Sequence, residues 1–129
     1  MTTLANTPRT DAPRVLIVDD NRELRAGMVR YMTLMGYDVT EAADGRSAIA
    51  ALSGPTPFRF LLIDLSLPDL DGRDVAREAR RVSPATWNVL VTGWDVEIEE
   101  VLDSGVDRVF HKPVNFAELC QSLAEVSRS

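Results

Sequence analysis

Four short apolar runs with no charge inside them constrain this chain more than any other feature: Val15–Val18, Phe60–Ile63, Val89–Val91 and Val109–Phe110. Uninterrupted runs of this kind read as strands buried on both faces, the habit of parallel sheets. A fifth segment, Asp38–Ala42, alternates polar with apolar residues and predicts a half-exposed edge strand.

Between these runs the apolar residues recur at helical spacing. Leu24, Met28, Tyr31, Met32 and Met35 fall on one face of a helix that ends near Gly36. Ala48, Ile49 and Leu52 form a shorter stripe closed by "SGPTP"; Val75, Ala76, Ala79 and Val82 form another, stopped before Pro84. Ile98, Val101 and Leu102 carry the pattern to Gly105, and Phe116, Leu119, Cys120 and Leu123 complete it behind Asn115, a suitable cap. Five βα units in succession predict an α/β domain, a parallel sheet covered by helices on both sides.

The 129 residues suit one such domain with one core, and nothing in the chain separates a second. Residues 1–13, rich in Thr, Asn and Pro, read as a flexible tail, with the folded domain over 14–126. A formal net charge of -6 argues against direct nucleic-acid binding. Cys120 stands alone, so no intrachain disulfide forms. With neither a signal-peptide pattern nor an apolar run long enough for membrane insertion, a cytoplasmic location is expected.

In open parallel sheets ligands sit beyond the carboxyl ends of the strands, at the point where strand order reverses. The residues at those ends form a set. Taking the five predicted strands in chain order, the first leads into Asp19 and Asp20, the third ends in Asp64, the fourth in Thr92, and the fifth leads to Lys112. For any one acid, a solvated strand end is explanation enough; the ordered combination asks for more. Three carboxylates against one ammonium leave an excess of negative charge that a divalent cation would neutralise. Oxygen-only ligands favour Mg2+, and no His or Cys stands at a strand end to suggest zinc. A hard cation, an ammonium and a hydroxyl together suit phosphoryl oxygens.

The motifs "VDD", "IDLSLPDLDG", "VTG" and "KP", in that order, make the stretch from Arg14 to Val126 resemble the receiver domains of two-component response regulators. The resemblance implies a doubly wound, flavodoxin-like (βα)5 fold with strand order 2-1-3-4-5. By position it implies Asp64 as phospho-acceptor, Asp19 and Asp20 as the acidic pair binding Mg2+, and Ser66 as a further ligand through its backbone carbonyl. Thr92 matches the hydroxyl, Lys112 the ammonium, and Pro113 the proline whose preceding bond is usually cis. The implied partners are a sensor histidine kinase or a histidine phosphotransfer protein, and a downstream protein or effector domain. The implied role is a signalling switch that catalyses only its own phosphorylation and dephosphorylation. No DNA-binding region follows the last helix in these residues, so output is expected through protein contacts or a segment outside them.

Two positions depart from the family. Three residues before the lysine, where an aromatic is common, stands Val109, and Phe110 points to the other face of its strand. Trp94, two residues after Thr92, is bulky enough to screen an acyl phosphate from water, or to pack or dock instead. Asp69, Asp71 and Gly72 read as a loop and a helix cap, His111 as a surface or structural residue, and Cys120 as buried and inert. "AREARRV" reads as the solvated side of a helix. Other functions compete. An aspartate-nucleophile phosphatase would place a second acid where this chain has Ser66. A flavin-binding domain would set this acidic rim against the flavin phosphate. A degenerate receiver would keep these residues as a phosphorylation-independent interaction module.

Overall fold

The structure, a computed structural model, describes residues 12–93, 101 and 104–128. Five parallel strands form one sheet: β1 (Arg14–Val18), β2 (Asp38–Ala42), β3 (Phe60–Asp64), β4 (Trp87–Thr92) and β5 (Arg108–His111), ordered β2-β1-β3-β4-β5. Among the described residues four helices have defined bounds: α1 (Arg22–Leu34), α2 (Gly45–Leu52), α3 (Gly72–Val82) and α4 (Phe116–Arg128). The expected helix over Ile98–Leu102 lies, apart from the buried Val101, outside the described residues, as does the tail up to residue 11.

The period of two along each strand divides the core between the faces. Leu16, Val18, Leu61, Ile63 and Leu90 pack with Ala48 and Leu52 of α2 and with Val75, Ala76 and Ala79 of α3. Val15, Ile17, Phe60, Leu62, Val89 and Val91 face the other way, onto Met28 and Met32 of α1 and Leu119, Cys120 and Leu123 of α4. Burial on both faces is why β1 and β3 each carry an unbroken apolar run in place of the alternation of β2. β2 lies at the sheet edge and is only partly covered, as its alternating sequence predicts. Val109 packs with the α2/α3 side and Phe110 with the α1/α4 side, so Phe110 does not stand in for an aromatic at 109.

Helix starts are set by short polar side chains accepting backbone N–H groups. Asn21 accepts from Leu24 at 3.0 Å, Asp44 from Ser47 at 2.8 Å, Asp71 from Arg73 at 2.8 Å, and Asn115 from Glu118 at 3.0 Å. α1 stops at Gly36, whose φ of 95° an L side chain resists. Two predicted core positions fall outside the core: Met35 is 55% exposed and Val82 36%. Met35 caps α1 and Val82 is the last residue of α3, so both sit at helix termini. Trp87 opens β4, its ring edge-on to Phe60 with centroids 6.4 Å apart.

Candidate functional site

Because all five strands run one way, their carboxyl ends share a rim, and the order reverses between β1 and β3. Val18 of β1 pairs with Ile63 of β3, so the next residues, Asp19 and Asp64, emerge side by side. Thr92, fully buried, ends β4, and its carbonyl accepts the Lys112 N–H at 2.9 Å. Lys112 follows β5 directly, and the Lys112–Pro113 bond is cis.

The side chains converge. Asp19, Asp20 and Asp64 each bring a carboxylate oxygen within 4.8 Å of the others. Asp19 and Asp64 are buried, Asp20 exposed. The Lys112 Nζ lies 3.2 Å from Asp64 Oδ2 and 3.4 Å from Asp19 Oδ2. Ser66 stands beside them, its N–H donating to Asp64 Oδ1 at 3.2 Å, and Asn21 N–H donates to Asp19 Oδ1 at 2.8 Å. Asp19, Asp20, Asp64, Ser66, Thr92 and Lys112 thus lie at or just beyond the carboxyl ends of the strands.

One ammonium does not satisfy this group. Burial raises the Asp64 pKa above its ordinary value and the Asp19 charge raises it further, against partial relief from Lys112 and the Ser66 N–H. Burial works against the Lys112 ammonium too, yet Asp19 and Asp64 outweigh it and hold the lysine pKa above normal. The donor set is all oxygen, acidic and closely spaced, and so fits a hard divalent cation.

Three contributions were not legible as such. Gly72 was read as part of a helix cap, but a Cβ there would meet the Asp64 carbonyl oxygen at 2.2 Å, so β3 and α3 approach only through a glycine. Asp69, read as loop, accepts from Gly45 N–H at 2.7 Å and Arg46 N–H at 3.0 Å, tying the loop after Asp64 to the start of α2. Arg25 was not singled out; its guanidinium donates to the Asp19 carbonyl at 2.7 Å and to Glu41 at 2.8 Å. An arginine one turn into the helix after an acidic pair was the available signal. Arg80 of "AREARRV" is likewise not merely solvated, since it pairs with Asp107 at 2.6 Å. His111 is exposed and Cys120 buried, where burial raises the thiol pKa. Trp94 lies outside the described residues.

Comparison with known proteins agrees with this geometry. The family model of the response regulator receiver domain matches residues 15–124. The chain is 33% identical over 122 residues to the transcriptional regulatory protein TcrA of Mycobacterium tuberculosis, covering 93% of this chain and 48% of that protein. It is 33% identical over 117 residues to the response regulator MprA of Mycolicibacterium vanbaalenii, covering 89% of this chain and 50% of that one. The chain thus spans about half the length of these curated relatives. Among solved structures, a CheY-like response regulator receiver domain protein from Methanospirillum hungatei superposes with a TM-score of 0.84 at 29% identity, covering 90% of this chain and 94% of that one. A β2-β1-β3-β4-β5 sheet with three acids and a lysine on its carboxyl rim, matched by the family model over most of its length, makes this chain a member of the response regulator receiver domain family of two-component systems.

Proposed function

We propose that the domain takes a phosphoryl group onto Asp64 from a phosphohistidine of a sensor histidine kinase or histidine phosphotransfer protein. The phosphorylated domain then changes its affinity for a downstream protein or effector domain. The observation that carries the reading is the Asp64 carboxylate itself, held 3.2 Å from Lys112 Nζ within the cluster of three acids. Asp19, Asp20, Asp64 and the Ser66 carbonyl would hold Mg2+. Bound there, Mg2+ supplies positive charge to the phosphoryl oxygens and to the crowded carboxylates.

One oxygen of ionised Asp64 forms a bond to phosphorus as the P–N bond of the phosphohistidine breaks. The electron pair passes to the imidazole nitrogen, and the product is an acyl phosphate. Asp64 must be ionised to attack, and burial beside Asp19 opposes that charge; Lys112 favours it. Lys112 and the Thr92 hydroxyl stabilise the negative charge on the transferring group. What the relatives do through the half of their length that this chain does not match stays outside these residues. An acidic charge balance here therefore says nothing about contact with DNA elsewhere.

The test is incubation with a small phosphodonor, with and without Mg2+, followed by intact mass. A single Mg2+-dependent phosphoryl adduct, lost in Asp64→Asn, is expected. An adduct of equal yield in Asp64→Asn would remove Asp64 from the role. Steady turnover of phosphorylated small molecules would favour a phosphatase.

A further inference from the structure

The acid pair depends on a peptide that the sheet does not hold. β1 ends at Val18. Beyond it the Asp19 N–H still reaches Ala42 O at 3.2 Å, and the Asp19 carboxylate is fixed from both sides by Asn21 N–H at 2.8 Å and Lys112 at 3.4 Å. The Asp19 carbonyl has left the strand ladder, and it belongs to the peptide plane that sets the direction of Asp20. Among the described residues, no side-chain hydrogen bond or ion pair orients the exposed Asp20 carboxylate.

Arg25 takes up that carbonyl. Its Nη1 donates to Asp19 O at 2.7 Å, and its Nε donates to Glu41 Oε1 of the neighbouring strand β2 at 2.8 Å. The Arg25 side chain is only 15% exposed while Glu41 is 51% exposed, so the guanidinium is packed in place and the carboxylate anchors it from solvent. A planar fork with several fixed donors spans a carbonyl and a carboxylate in a way that a single ammonium does not.

We propose that Arg25 is a positioning residue for the metal site: by holding the Asp19–Asp20 peptide against β2, it aims the Asp20 carboxylate at the point shared with Asp19 and Asp64. The proposal rests on the reading of this rim as a Mg2+-dependent phosphoacceptor. Its sign separates it from the alternatives. As a charge alone, Arg25 repels a cation, and its removal would tighten Mg2+ binding. As packing alone, its removal would lower the melting temperature and leave the affinity of the folded protein unchanged. As a positioning residue, its removal weakens binding despite the lost repulsion. Groups that orient metal ligands from outside typically contribute about 10-fold or more in affinity.

The experiment uses the full chain, with Mg2+ titrated against the backbone amide shifts of Asp20 and Asn21 below the melting temperature. Arg25→Ala is compared with Arg25→Met, which keeps the packed stem and so protects folding. Both variants are expected to bind Mg2+ about 10-fold more weakly than the wild type. The Asp20 amide is also expected to shift in the metal-free variants, before any cation is added. Unchanged or tighter Mg2+ binding in Arg25→Met overturns the assignment, as does a metal-free Asp20 amide that does not move. If the wild-type chain itself shows no saturable Mg2+ response, the reading of the rim fails, a result distinct from wild-type binding that the variants reproduce.

Discussion

The two ends of this sheet treat charge in opposite ways. At the amino end of β4 and β5, Asp107 is met by the Arg80 guanidinium at 2.6 Å and by Asn88 N–H at 2.7 Å, while Arg80 also donates to the Gly105 carbonyl at 3.0 Å. One acid has one base and a backbone donor, and its demands are satisfied. At the carboxyl end three acids crowd together, and Lys112 pairs with two of them, Asp19 and Asp64. The first arrangement joins α3 to the segment before β5. The second stores repulsion that a bound cation would relieve, so without one it serves stability poorly.

The largest expected effect comes from removing the central acid. Asp64→Asn should abolish the phosphoryl adduct and, without Mg2+, raise the melting temperature, because it deletes a buried charge disfavoured by desolvation and by Asp19. Thermal melts in chelator and in millimolar Mg2+ check this; a variant that melts below the wild type in chelator would deny that the rim is strained. In the wild type, Mg2+ should raise the melting temperature by mass action, as any ligand of the native state does.

Next in size is the opposite end. Asp107→Ala removes a charge-assisted pair and leaves the Arg80 and Asn88 donors without it. Because both side chains are partly exposed, the loss should be about 1–2 kcal/mol, measured by denaturant unfolding. Mg2+ affinity should not change. A variant that lost metal binding as well would show that the two ends are coupled, and the contrast between them would fail.

The fold and the site differ in how much of each could be read in advance. Strand positions were legible because burial on both faces leaves a run such as "VLIV" with no polar residue, and the acids were legible because they follow those runs directly. Helix ends were less so: Met35 and Val82 keep the apolar spacing at the termini of α1 and α3, yet both are exposed. Arg25, Asp69 and Gly72 were illegible for a different reason. Their partners are Asp19 with Glu41, the start of α2, and the Asp64 carbonyl, contacts made by chain crossings that no local spacing encodes.

A smaller effect follows from pH. Asp64 has its pKa raised in the folded state, so the folded protein holds that proton more tightly than the unfolded one. In chelator, this contribution makes stability fall as pH rises through the raised value and recover on acidification. Asp71 works in the opposite sense: its pKa is lowered first by the Arg73 hydrogen bond, and it contributes stability above the ordinary carboxylate range that is lost as pH falls through the lowered value. On acidification from neutral pH the metal-free melting temperature should therefore rise before it falls. The rise should vanish in Asp64→Asn, and a rise that persisted there would assign it to another group.

The smallest expected signal uses the two tryptophans as reporters for the two ends. Trp87 opens β4 and Thr92 closes it, five residue steps apart and so about 17 Å along an extended strand. Trp94 follows Thr92 by two residues, a chain length of about 7 Å at most. A change at the rim on adding Mg2+ and a phosphoryl mimic should thus alter emission from Trp94, with little from Trp87, which is held against Phe60 at 6.4 Å. The change should survive in Trp87→Phe and disappear in Trp94→Phe; the reverse pattern would mean that the cation acts at the amino end. If Trp94 also screens the acyl phosphate from water, Trp94→Ala should shorten the lifetime of the adduct followed by intact mass, while Trp87→Phe leaves it alone. Equal lifetimes in all three proteins would give Trp94 no part in hydrolysis and leave the lifetime to other residues of the rim.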